Sequence, residues 1–214
     1  MASGVLLTGI VAMLTANTGL VYALMGGPLM WLVMLSPLAI VFAMSFGQNK
    51  FSTGTLQMMF WGFATLMGLS LSTIFLVYTG SSIAATFFAT AGAFAGLSLF
   101  GYTTKKNLSG WGSFLIMGVV GLLIAMVINM IWPMPGLALA ISFLGVLIFA
   151  GLTAYDTQRL KNDYLAVQHM KMTNPGAAAA YPTGKMVVMG ALSLYLDFIN
   201  MFLFLLRFMG AARE

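Results

Sequence analysis

Only four carboxylates occur in this chain of 214 residues, Asp156, Asp163, Asp197 and Glu214, and their setting limits the chemistry available to it. Asp197 lies inside Leu192-Ser193-Leu194-Tyr195-Leu196-Asp197-Phe198-Ile199-Asn200, with apolar neighbours on both sides. An ionisable group at such depth is costly, so it usually faces the protein interior and has a partner. Asp163 stands in a polar segment and Glu214 is the final residue. Asp156, closing the preceding apolar run, is therefore the carboxylate able to meet Asp197. Close carboxylates cannot both ionise cheaply, so such a pair shares a proton and titrates as a unit. That chemistry is a proton sensor or a weak cation site. The plainer alternative makes Asp156 a helix-end residue at the interface and Asp197 a structural hydrogen-bonder.

Supporting polar groups lie close by in sequence. Ser193, Asp197, Asn200 and Phe204 follow i, i+4, i+7, i+11 spacing, which puts three polar side chains on one helix face. A wall facing lipid would not be built so, and the helix reads as central. Tyr155 precedes Asp156, and Arg207 closes the last apolar run, where snorkelling to the outer surface accounts for it better than an internal ion pair. Depth raises a difficulty. Asp156 stands three residues before Arg159, whereas Asp197 stands twelve after Lys185, a difference of roughly 13 Å if both helices start at one plane. Other chemistries find less support. There is no Cys, one His and 19 Met, so thiol catalysis is excluded and adaptable packing explains the methionines better than copper. No phosphate-cradling loop, nucleotide fingerprint or Ser-His-Asp set is present.

The elements that must position these residues are membrane helices. The chain is 61% hydrophobic and 6% charged, against about 25% charged for a soluble domain. A helical span needs about 20 apolar residues, so this length admits six to eight. The reading is all-α: one polytopic seven-helix bundle over 1–214, with spans near 3–24, 29–46, 56–78, 83–102, 111–132, 137–159 and 185–207. Pro37 falls inside the second. Turns are expected at Gly26-Gly27-Pro28, Gly80-Ser81-Ser82 and Pro133-Met134-Pro135-Gly136, and Gly92-x-x-x-Gly96 suggests close helix packing. Residues 160–184 form the one sizeable polar segment. There Leu160, Tyr164 and Val167 recur at helical spacing and could continue the sixth helix along the surface, until Thr173-Asn174-Pro175-Gly176 breaks it.

Lys50, Lys105, Lys106, Arg159, Lys161, Lys171 and Lys185 all fall on the side of the N-terminus, and the opposite turns carry no charge. The positive-inside rule then puts the N-terminus in the cytoplasm and the C-terminus outside. The net charge of +5 reads as a topology signal and not as a nucleic-acid footprint. Without a basic leader, the first apolar run is not a cleavable signal peptide.

Ala154-Tyr155-Asp156-Thr157-Gln158, the 193–200 stretch and Leu205-Leu206-Arg207-Phe208 together closely resemble the Bax inhibitor-1 family, most of all its bacterial branch. The resemblance implies a seven-helix bundle with a central last helix in the bacterial inner membrane. It also implies a calcium leak that is pH-sensitive and governed by two aspartates, matching Asp156 and Asp197. Calcium would be the ion transported or weakly bound, with no other cofactor. Roles in stress survival and in modulating a membrane protease are implied for some relatives. Two departures stand out: the second helix carries no Arg to latch the aspartates, Lys50 being the nearest cation, and Ser36-Pro37 stands where some relatives have a carboxylate. Relatives also usually carry a polar leader, whereas this chain begins on its apolar run. Two other functions compete. A non-transporting regulator would use 160–184 to reach a membrane partner. An intramembrane aspartyl protease would also need two aspartates, but Leu194-Tyr195-Leu196-Asp197 lacks the required Gly-x-Gly-Asp. The chain therefore does not read as an enzyme.

Overall fold

The computed structural model of the chain describes residues 1–25, 27, 29–174, 176 and 181–212. Among them are nine helices: α1 (Ala2–Asn17), α2 (Leu20–Met25), α3 (Leu29–Gly47), α4 (Thr53–Leu71), α5 (Ile74–Val77), α6 (Gly80–Thr103), α7 (Ser109–Ile131), α8 (Pro135–Thr173) and α9 (Thr183–Met209). They contain no strand, only an isolated antiparallel bridge between Tyr78 and Ala212. Six helices are long and apolar enough to cross a membrane: α3, α4 extended through α5, α6, α7, α8 and α9. The expected turn at 26–28, the break at Pro175 and Glu214 involve residues outside the described ones.

Two elements differ from the sequence expectation. The first span is not one helix. Thr18 turns its hydroxyl back onto the Leu14 and Thr15 carbonyls, and Gly19 then takes φ +70°, which ends α1 after 16 residues. The sixth helix does not end near Arg159 but runs unbroken to Thr173. At about 1.5 Å per residue it measures roughly 58 Å, about twice the hydrocarbon thickness. The continuation read from Leu160, Tyr164 and Val167 is therefore present, and α8 takes up 160–173 of the polar 160–184 segment.

The described chain groups into two compact units. In the first (Met1–Gly80, Pro182–Tyr195, Ala211–Glu214), polar side chains act as glue between apolar helices. Thr8 on α1 gives its hydroxyl proton to the Ala64 carbonyl of α4 at 2.8 Å, so Tyr195 of α9 donates to Thr8 at 2.6 Å. The Tyr195 ring is fully buried, with Phe60 and Phe63 edge-on to it. Pro37 has no N–H, which would orphan the Val33 carbonyl one turn earlier. Ser36 and Ser70 both donate to that oxygen, at 3.1 and 2.8 Å. Lys185 caps the end of α3 through the Gln48 and Asn49 carbonyls. A double-mutant cycle of Thr8→Val and Tyr195→Phe should return a coupling of about 0.6 kcal/mol, the average for hydrogen bonds between membrane helices, whose maximum is about 1.7 kcal/mol. Reversible unfolding in detergent measures it, and additive effects would dissolve the network.

The second unit (Ser81–Tyr181, Leu196–Gly210) has its core at Leu115, Leu122, Ile141, Phe149, Leu152, Met201 and Phe204. Helix α6 meets α8 backbone to backbone: a Cβ on Gly101 would overlap the Ala154 carbonyl. Gly92 and Gly96, the expected packing motif, have nothing within 4 Å of such an atom and are exposed. They lie on a different side of α6 from Gly101. The link between α6 and α7 is pinned by Gln158, which accepts from Leu108 N–H at 2.7 Å and donates to the Lys106 carbonyl at 2.8 Å.

Candidate functional site

Helix α9 carries the site. Its apolar window is 56% buried, against 11% for α6 and α7, so it is the most enclosed of the six long helices. The face read from its spacing points inward: Asp197 and Phe204 are buried, and Ser193 and Asn200 half-buried. Arg207 is exposed in the last turn of α9, where a cation complements the helix dipole.

Side-chain register resolves the depth difficulty. Phe149 of α8 stacks on Phe204 of α9, centroids 5.8 Å apart, and Gly145 gives way to the same ring. Asp156 follows Phe149 by seven residues, and Asp197 precedes Phe204 by seven. On antiparallel helices seven residues are two turns, so the acids fall on one level of the same seam. Asp156 is the charged group whose field bears on Asp197. The mismatch of roughly 13 Å assumed that both helices start at one plane, whereas α8 continues far past Arg159 and the first turns of α9 run beside that extension.

Asp197 is 4% exposed. The neighbouring polar groups are turned onto their own helices: Asn200 onto the Leu196 carbonyl, Thr153 onto Phe149 and Thr157 onto Thr153. Two buried side-chain oxygens are left without a hydrogen-bond partner among the described residues, Asp197 Oδ2 and Ser98 Oγ. Ser98 was not singled out from sequence. On α6 it lies between Phe94, whose ring meets Phe198, and Gly101, which meets Ala154. The unsatisfied hydroxyl thus stands on the same stretch of the seam as the two acids. Asp156 is half-buried, with Arg159 one turn on as its countercharge. Beside it, Ser109, Tyr155, Gln158, Arg159, Asn162 and Asp163 line a polar pocket of about 150 Å³. Tyr155 leans on Gly112 of α7, where a Cβ would strike its ring. Among the described residues no cluster of three or more His, Cys, Asp or Glu side chains could hold a metal ion. What the arrangement offers a hard cation is a pair of carboxylates, with the Ser98 hydroxyl on the helix that meets both α8 and α9 here.

All of residues 1–214 match the family described as inhibitor of apoptosis-promoting Bax1. The chain belongs to the Bax inhibitor-1 family. A Caulobacter vibrioides protein is 44% identical over 223 residues, covering 100% of this chain and 86% of the relative. The Escherichia coli K12 inner membrane protein YbhL is 42% identical over 215 residues, covering 100% and 88%. A Rickettsia prowazekii protein is 39% identical over 215 residues, covering 100% and 87%. With six helices able to cross a bilayer, this family member is an integral membrane protein.

Proposed function

We propose that this Bax inhibitor-1 family protein is a proton-sensitive calcium leak of the bacterial inner membrane, with Asp156 and Asp197 as its sensor and weak ion site. The observation that carries this reading is the shared level of the two acids on the α8–α9 seam, one of them buried with an unpartnered oxygen. Carboxylate oxygens suit a hard cation, and a site this sparse binds weakly enough to release it. Calcium is the cargo in this reading and not a resident cofactor. Arg159, one turn after Asp156, bears on its charge, whereas the second helix carries no Arg such as latches the aspartates in some relatives. The inner membrane follows from the similarity to YbhL. Calcium efflux from liposomes containing only this protein tests the proposal: efflux supports a leak, and none at any pH from about 5 to 8 overturns it.

A second reading draws on the length of α8, whose final turns extend past any bilayer span and offer a handle to a membrane partner such as a protease. A regulator of this kind would transport nothing, and the same efflux measurement separates the two.

Seven spans complete the proposal, with α1 and α2 together forming the first and the N-terminus cytoplasmic. Reporters then give opposite signals: a fusion after Glu214 periplasmic, and one in the 160–184 segment cytoplasmic. Both on one side would rule out this topology.

A further inference from the structure

A cleft of about 440 Å³ opens within the second unit between α6, α7 and α8, with Tyr155, the residue before Asp156, in its lining. Its walls are apolar, Leu97 and Phe100 from α6, Leu115 from α7 and Ala150 from α8. The space exists because α8 carries small residues here. Gly151 yields to Leu115, and Ala154 is pressed against Gly101. Ligand sites typically fall in this range of volume, with apolar walls and a few polar groups at one end. Here the polar end is the link between α6 and α7, with exposed Lys105 beside it and exposed Lys106 lining the cleft itself. Gln158 clamps the backbone of that link, so the mouth is held in place. Trp111, which also lines the cleft, is 61% exposed, as suits a ring at the headgroup level.

We infer that this cleft takes an acyl chain of an anionic phospholipid, whose phosphate meets Lys106 at the mouth. Charge complementarity selects this occupant. A basic mouth on an apolar slot between membrane helices matches a lipid carrying negative charge at one end and hydrocarbon behind it. A zwitterionic lipid supplies the hydrocarbon without the net charge.

Trp111 reports on the site. In a version with Trp31, Trp61 and Trp132 each changed to Phe, Trp111 is the sole indole. Its quenching is measured in phosphatidylcholine vesicles as brominated phosphatidylglycerol or brominated phosphatidylcholine replaces the host lipid. Phosphatidylglycerol should be preferred about fivefold, the effect of one lysine close to an anionic headgroup. Lys106→Ala, at an exposed position, should abolish the preference with the helical circular dichroism intact. Lys171→Ala, on the last turn of α8, should leave it unchanged. Equal quenching by the two lipids overturns the inference. So does a preference that survives Lys106→Ala, or one that falls equally in Lys171→Ala, since either would mean general attraction to charged lipid.

Discussion

Asp197→Asn should slow calcium efflux from proteoliposomes by about tenfold or more. The substitution keeps the side chain's size, so the seam around Phe198 and Phe204 stays filled, and only the capacity to ionise and to hold a cation is lost. A unit charge about 4 Å from another is worth about 4 kcal/mol at an effective dielectric near 20. Roughly a third of that already makes a tenfold rate difference. Asp156→Asn should have a smaller effect, because Asp156 is half-buried and shares its field with Arg159. The pH profile carries the sharper test. In the parent the two carboxyls titrate as a coupled pair, so flux should change across the window where the shared proton is gained or lost. Each single Asn substitution leaves a lone carboxyl with no acidic neighbour, and the profile should flatten in both. Flux is to be read from about pH 5 to 8, with the folded fraction of each protein matched by size exclusion. Parental rates and midpoints in both variants would sink the two-aspartate reading whatever the fold.

Much of this arrangement was legible because a membrane leaves few options. Apolar runs of span length separated by charged or glycine-rich turns identified the six long helices, and their polar punctuation gave boundaries within a few residues except at the C-terminal end of α8. The inward face of α9 followed from Ser193, Asp197 and Asn200 recurring on one side, since polar groups have no place against lipid. The interruption of α1 was harder to see, because Thr18 and Gly19 look like ordinary small residues within an apolar run. Only the positive φ at Gly19 and the back-bonded Thr18 hydroxyl make them a stop. The level of Asp156 against Asp197 was hard to read for a related reason. Charged residues mark where a helix leaves hydrocarbon, not where it ends, and α8 carries Arg159 and Lys161 on turns that continue to Thr173.

Contacts between helices were the least legible part. Ser98 is one of many small residues along α6, and nothing in its own spacing distinguishes it. Its unsatisfied hydroxyl matters only once Phe94 is known to meet Phe198 and Gly101 to meet Ala154. Local pattern can say that a residue is small or polar. It cannot say which helix faces it.

Gly101→Leu should remove most of the folded protein, while Gly96→Leu on the same helix should leave it nearly intact. Both positions are helical glycines in α6, and the two substitutions are chemically identical. The difference lies in what a side chain would meet. At Gly101 the first added carbon already overlaps the Ala154 carbonyl, which is backbone and cannot rotate away. Helix α6 would have to back off from α8, opening the contact that holds Phe94 against Phe198 and Ser98 beside the acids. Overpacking a tight interior costs about 1–3 kcal/mol and sometimes more. Total stabilities are only about 5–15 kcal/mol, so a clash with backbone on this scale is a large fraction. At Gly96 an added side chain enters open space on an exposed face, and leucine favours the helix more than glycine does by up to about 1 kcal/mol. Position along the helix accounts for the contrast: five residues are about 1.4 turns, which carries Gly101 well round from Gly96, and nine residues put it opposite Gly92. The monodisperse fraction after detergent extraction, followed by a thermal ramp on what survives, reads the outcome. Equal losses from both variants would mean that α6 does not meet α8 at Gly101, and the placement of Ser98 would fall with it.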